Sequence, residues 1–93
     1  MLIEIQIDFV FKNGSTKRIV VGEKDPKGIL RDKNTGEERE ISLTNKEVLV
    51  EYTKRISTNI EENKTLFFIG LDEKVVVLNP SEIVSVELKA VEK

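Results

Sequence analysis

The first eleven residues alternate between apolar and polar side chains. The apolar positions fall at every second residue from Ile3 onward, namely Ile3, Ile5, Ile7, Phe9 and Phe11. Because successive side chains of a strand point to opposite faces, this period of two predicts a β-strand with one buried face. Residues 12–14, Lys-Asn-Gly, then indicate a turn, and the apolar residues 19–21 begin a returning strand.

The pairing between these two strands favours one type of loop. A three-residue loop with Gly14 in the left-handed region places Ile7 opposite Ile19 and Asp8 opposite Arg18. A two-residue Asn-Gly loop would shift the pairing and set charged residues against core residues on both faces. We therefore predict the three-residue loop.

Residues 22–43 are mostly polar and predict a second hairpin. The segment 29–43 carries many charges and few apolar side chains around a turn at Gly36, so we expect it to project from the core or to lie at an edge. Residues 32–37 alternate Asp and Asn as a calcium-binding loop does. However, Gly36 and Glu37 occupy the fifth and sixth positions, where such a loop needs Asp or Asn and then Gly. No metal site is predicted here.

A long helix is predicted after this hairpin. Thr44 and Glu47 stand three residues apart in the pattern of a capping box, which marks the start of a helix. The apolar side chains that follow recur at helical spacing and form one stripe, made of Val48, Leu49, Tyr52, Ile56 and Ile60. Asn63 suits the left-handed conformation that often ends a helix.

The last third of the chain predicts three strands. Segments 65–71 and 74–78 are apolar at consecutive positions, which is typical of a central strand covered on both faces, and residues 72–73 form a tight connection. Residues 79–82, Asn-Pro-Ser-Glu, predict a single helical turn. Residues 83–88 predict a closing strand with Val84, Val86 and Leu88 on one face.

In order, these elements predict β-β-(β-β)-α-β-β-β in a single domain of residues 1–93. One long helix against a mostly antiparallel sheet is an α+β fold. A single helix cannot cover both faces of the strand at 66–69, so we expect either that the sheet curls into a partial barrel or that a second subunit covers it in a homodimer. The residues expected at this interaction surface are Phe67, Ile69, Val75 and Val77.

Composition narrows the possible chemistry. The 93 residues contain no His, Cys or Trp, and 15 Lys and Arg stand against 17 Asp and Glu, for a net charge of −2. Without His or Cys the chain has no imidazole, no thiolate nucleophile and no disulfide. Its carboxylates fall mostly in predicted loops or on the polar side of the helix, and no glycine-rich phosphate loop occurs. We expect a protein that is not an enzyme, with no catalytic residues, no cofactor and no bound metal.

The basic residues are concentrated in the first half of the chain. Residues 12–46 hold nine Lys and Arg and six Asp and Glu. An alternative function is therefore nucleic-acid binding through a basic patch made of Lys17, Arg18, Lys27, Arg31 and Lys33. Aromatic side chains free to stack on bases are scarce in this region, which favours a protein partner or self-association over nucleic acid.

The sequence also bears on location. No stretch approaches the roughly 20 apolar residues of a membrane span, so no membrane association is expected. Glu4 and Asp8 interrupt the apolar N-terminal stretch, which is unlike a signal peptide. Together with the lack of Cys, these features predict a cytoplasmic protein.

Two resemblances extend this interpretation. Residues 78–87, Leu-Asn-Pro-Ser-Glu-Ile-Val-Ser-Val-Glu, resemble the LNPxxIxxIE segment of small flagellar proteins of the FlbD type. With Phe-Lys-Asn-Gly at residues 11–14, a helix and that closing strand, the chain also resembles, in layout, small proteins of phages, prophages and mobile elements in Gram-positive bacteria. This likeness implies a small cytoplasmic accessory protein and assigns no site residues. We therefore expect a protein-interaction or assembly module.

Overall fold

The fold is α+β, with seven strands and one long helix. A computed structural model describes residues 1–93. The elements run in the order β1 (Leu2–Phe11), β2 (Thr16–Lys24), β3 (Lys27–Arg31), β4 (Glu38–Ser42), α1 (Asn45–Glu61), β5 (Leu66–Ile69), β6 (Val75–Leu78) and β7 (Ile83–Glu92). A single 3₁₀ turn, Pro80–Glu82, precedes β7. This order confirms the predicted succession of elements and the predicted α+β class.

The strands form three separate antiparallel sheets. The largest has the order β2-β1-β7, while β3 pairs only with β4 and β5 pairs only with β6. No closed barrel is formed. The expectation that β5 is a central strand is wrong, because β5 pairs with β6 alone, and within the chain only one of its faces is covered. Apolar residues on both faces of a strand look the same in the sequence whether the second face is covered or left open.

The β1–β2 hairpin has the predicted register. Ile7 lies opposite Ile19, and Asp8 lies opposite Arg18. The Phe11 N–H donates to the Ser15 carbonyl at 2.9 Å, which leaves three residues in the loop, and Gly14 has a φ of +84°. This conformation is accessible to glycine at little cost, so the sequence specifies both the turn and the pairing.

One core lies on one face of the large sheet. The odd-numbered side chains of β1, from Ile3 to Phe9, are fully buried. Two elements cover this face. Helix α1 contributes Val48 and Ile56, and the β5–β6 hairpin contributes buried apolar side chains of its own. The polar, even-numbered side of β1 carries the Asp8–Arg18 ion pair, whose closest atoms are 2.8 Å apart.

Local chemistry sets the limits of α1. The Thr44 N–H donates to Glu47 Oε1 at 3.1 Å, and the Glu47 N–H donates to Thr44 Oγ1 at 3.3 Å, which is the predicted capping box. Asn63, just after the helix, has a φ of +54° and so adopts the predicted left-handed conformation. The apolar stripe faces the core, as the spacing predicts.

The last strand differs from its prediction in one respect. Val86 and Leu88 are partly buried against the core, as expected, but Val84 is 64% exposed. The reason is a bulge. Phe11 pairs with Ile83 and Val10 pairs with Ser85, so Val84 has no partner on β1 and stays largely exposed. The strand also continues to Glu92, beyond the predicted end at residue 88.

Candidate protein-interaction surface

The β5–β6 hairpin has two apolar faces with opposite surroundings. Its inner face, made of Leu66, Phe68, Val76 and Leu78, packs against the core. Its outer face is made of Phe67, Ile69, Val75 and Val77, and each of these side chains is 62–64% exposed. The four residues that the sequence predicts as an interaction surface therefore share one face of one hairpin.

The outer face is contiguous because of the strand register. Phe67 lies directly opposite Val77, and Ile69 lies directly opposite Val75. Side chains that are directly opposite in an antiparallel pair are in contact range, and those two residues apart on one strand lie on the same face. The four side chains thus form a two-by-two apolar patch with no charged side chain within it.

The inner face fixes the hairpin to the core. Phe68 is only 3% exposed, and its ring centroid lies 5.9 Å from that of Phe9 on β1. Leu66 and Leu78, which pair with each other across the two strands, are also buried. Because the inner side chains hold the backbone in place, the outer face has a defined shape before any partner arrives.

The tip of the hairpin attaches to the large sheet. The Leu71 N–H donates to the Val20 carbonyl on the free side of β2 at 2.9 Å. The Leu71 side chain lies over Gly22, where an added Cβ would come within 2.6 Å of Leu71 Cδ2. Gly22 thus allows the close approach of Leu71, and this contact holds the tip of the hairpin along the edge of β2.

The other exposed apolar side chains are dispersed. Met1 precedes β1, Ile29 and Leu30 lie on β3, Val50 lies on α1, Val84 and Val91 lie on β7, and Leu71 lies at the tip of the β5–β6 hairpin, over Gly22. Single apolar residues at a surface are common and need no functional explanation, whereas a contiguous apolar patch is often functional. The outer face is the one place where four such residues stand in direct register.

The five basic residues predicted as a nucleic-acid patch lie on two different hairpins. Lys17 and Arg18 are on β2, and Lys27 and Arg31 are on β3, with Lys33 in the turn that follows. Three of them have partners within the chain: Arg18 pairs with Asp8, Arg31 pairs with Glu38, and Lys27 Nζ donates to Ser42 Oγ at 3.1 Å.

One polar contact has no signal in the sequence. The Tyr52 hydroxyl donates to Glu23 Oε1 at 2.5 Å, and this contact joins α1 to the end of β2 across 29 residues of chain. Burial of the ring, reinforced by the hydrogen bond to Glu23, raises the pKa of Tyr52 above its ordinary value. The Arg55 guanidinium lies 5.1 Å from the centroid of the same ring. The Tyr52–Glu23 hydrogen bond therefore attaches the helix to the sheet, while Arg55 packs on the ring from within the helix.

Comparison with known proteins adds no further assignment. No protein-family model, no curated protein and no solved structure matches this chain. The one helix of the fold falls short of the length and apolar character needed to cross a membrane.

Proposed function

We propose that the protein is a non-enzymatic protein-interaction or assembly module whose working surface is the outer face of β5–β6. The observation that carries this proposal is the contiguous patch of Phe67, Ile69, Val75 and Val77, which points away from the core. Apolar surface exposed to water is unfavourable, and burying it against another protein removes that penalty.

The size of the outer face indicates the kind of binding. Four side chains of this size and exposure present roughly 400 Å² of apolar surface. At about 25 cal/mol per Å², burying that surface would contribute on the order of 10 kcal/mol. Association itself costs about 4–15 kcal/mol. The outer face is therefore a core for an interface that needs polar contacts around it, and it supports reversible binding.

The surroundings of the outer face also support an apolar partner. A stable interface of standard size covers about 800 Å² on each protein, so the outer face supplies roughly half of one side. The hairpin turn lies next to it, and beside the half-exposed Leu71 it offers the charged groups of Asp72, Glu73 and Lys74 for the rim. An apolar centre with a polar rim is the usual anatomy of a protein interface.

The wider context is part of the same proposal. We also propose, as the resemblance implies, that the protein is an accessory protein of the phage or mobile-element type. We place that role in the cytoplasm. The partner recognised by the outer face is a protein with an apolar surface of matching size, so the protein acts by holding a partner and performs no chemical step.

A capture experiment with variants tests the proposal. The tagged protein, the double variant Phe67→Ser/Val77→Ser and the control Val50→Ser are each used to capture proteins from an extract of the source organism. Val50 is an exposed apolar residue on α1, outside the outer face. We expect the double variant to lose about tenfold or more of any protein captured by the wild type, while the control retains it.

Circular dichroism verifies that each variant is folded before capture. Equal capture by the wild type and the double variant would show that the outer face is not the working surface. Absence of any captured protein with the wild type would contradict the proposed function itself.

A further inference from the structure

Strand β7 is an open edge of the large sheet. The strand order β2-β1-β7 leaves one side of β2 and one side of β7 without a paired strand. Leu71 covers part of the β2 edge through its hydrogen bond to Val20, whereas β7, a strand of 10 residues, pairs with no strand other than β1. A long edge with unpaired N–H and C=O groups is a template for another strand.

The register shows which backbone groups point outward. The Lys93 N–H donates to the Leu2 carbonyl at 2.8 Å, so Lys93 directs its backbone groups toward β1. In an antiparallel pair this direction alternates from residue to residue. Glu87 and Lys89 therefore also direct their backbone N–H and C=O groups toward β1. The alternate residues, Val86, Leu88 and Ala90, direct theirs away from β1.

A shallow apolar groove follows this edge. Val86 and Leu88 on β7 line it together with Ile56, Ser57 and Ile60 on α1. Val86, Leu88 and Ala90 are only partly buried, although their side chains point to the core side of the sheet. A strand added at this edge would continue the core beneath the helix and cover these side chains.

The charges on β7 indicate what that strand is. Glu87 and Lys89 are exposed on the polar face of the sheet, and neither belongs to an ion pair within the chain. Glu87 lies directly opposite Asp8, a residue of like charge whose own partner is Arg18. Glu87 thus lacks a cation, and a cation on an added strand would offset its repulsion from Asp8.

We propose that β7 pairs with β7 of a second copy of this chain, antiparallel and with Leu88 opposite Leu88. In this register the two strands can form backbone hydrogen bonds, because Leu88 directs its N–H and C=O groups outward, toward the other copy. It places Glu87 of each copy opposite Lys89 of the other, which forms two ion pairs related by a two-fold axis. It also places Val86 opposite Ala90, so apolar side chains meet on the core side. The two sheets become one sheet of six strands.

The neighbouring registers are less favourable. A shift of two residues still allows the backbone hydrogen bonds, but it sets Glu87 opposite Glu87 in one direction and Lys89 opposite Lys89 in the other. Like charges directly opposite each other are destabilising. A shift of four residues toward the C-terminus sets Glu87 opposite Lys93 but sets Leu88 opposite Glu92, so an apolar side chain meets a charged one. The Leu88-centred register alone satisfies the charges and covers the apolar side chains.

Charge reversal tests both the edge and the register. Sedimentation equilibrium at low salt compares the wild type with Glu87→Lys, Lys89→Glu and the double variant Glu87→Lys/Lys89→Glu. Each single reversal creates two like-charge pairs, so we expect the dimer dissociation constant to rise about tenfold or more. The double reversal recreates both ion pairs and restores the wild-type value. Both side chains are exposed, so circular dichroism should show an unchanged fold in every variant.

Two further measurements keep this inference separate from the proposed function. The variant Phe67→Ser/Val77→Ser should dimerise as the wild type does, because the outer face of β5–β6 lies away from β7. Amide exchange should slow with rising protein concentration at Val86, Leu88 and Ala90, whose N–H groups gain acceptors. A monomer at all concentrations would overturn the inference, as would a dimer that is insensitive to charge reversal or is lost when Phe67 and Val77 are changed.

Discussion

The β1–β2 and β5–β6 hairpins share one loop design but differ in their outward faces. In each, a residue's N–H donates to the carbonyl four residues ahead, and three residues form the loop, 12–14 in the first and 71–73 in the second. The outward face of β1–β2 carries the Asp8–Arg18 ion pair, whereas that of β5–β6 carries four exposed apolar side chains. Four apolar side chains left in water do not help the hairpin to fold, and the proposed contact with another protein would account for them.

The largest expected effect is the difference in stability loss between a substitution on the inner face of β5–β6 and one on the outer face. Phe68→Ala removes a buried ring that packs near Phe9 and should lower the free energy of unfolding by about 3–5 kcal/mol. Phe67→Ala removes a mostly exposed ring and should cost under about 1 kcal/mol. Urea unfolding followed by far-ultraviolet circular dichroism measures both values. Equal losses would mean that the two faces do not differ as described.

The loops provide the next comparison. The third loop residue is left-handed in both hairpins: Gly14 has a φ of +84°, and Glu73 has a φ of +64°. Gly14→Ala should cost about 1–2 kcal/mol from backbone strain alone, because an added Cβ meets nothing within 4 Å. Glu73→Gly relieves the same strain and, after the added flexibility of the unfolded chain, should stabilise the protein by about 0.5–1 kcal/mol.

Thermal unfolding measures the change in stability of both loop variants. We expect Gly14→Ala to lower the stability and Glu73→Gly to raise it. A loss of stability in Glu73→Gly would show that the Glu73 side chain contributes more than its backbone strain costs. The sign of the effect therefore decides whether the two loops are equivalent.

The smallest effect concerns the dependence on pH. The hydrogen bond from Arg18, with the charge of that guanidinium, holds the pKa of Asp8 below its ordinary value. A lowered pKa in the folded state means that the pair stabilises the protein above the unfolded-state pKa and that this contribution disappears as the pH falls through the folded-state pKa. The stability difference between the wild type and Asp8→Asn should thus be present at neutral pH and vanish in acid.

The outer face of β5–β6 gives the matched control for pH, since it has no titratable side chain. The difference between the wild type and Val77→Thr should stay constant over the same pH range. A parallel pH dependence for Asp8→Asn and Val77→Thr would show that the Asp8–Arg18 pair does not set the acid sensitivity of the β1–β2 hairpin.

The features predicted from the sequence are those with local causes. The register of β1–β2 follows from a turn with a required glycine, and the start of α1 follows from the reciprocal hydrogen bonds of Thr44 and Glu47. The surplus of apolar residues in β5 and β6, more than one helix can cover, also singled out Phe67, Ile69, Val75 and Val77. What covers each face depends on distant parts of the chain, and for that reason the central-strand prediction for β5 was wrong.

Other features could not be predicted because they too depend on residues that are far apart in the sequence or on the order of the strands. The bulge at Val84 arises from the mismatch between two pairings, Phe11 with Ile83 and Val10 with Ser85, which no single segment encodes. The contact between Tyr52 and Glu23 joins residues 29 positions apart. The open edge of β7 became visible only from the strand order, although the opposite charges of Glu87 and Lys89 were present in the sequence.

The most direct test of the outer face is site-specific photo-crosslinking in the source organism. A photoreactive phenylalanine analogue is placed at position 67, on the outer face, or at position 50, on the exposed side of α1. Our account predicts a discrete cross-linked protein product from position 67 and none from position 50. The same products from both positions, or no product from position 67, would contradict the claim that the outer face of β5–β6 binds a protein.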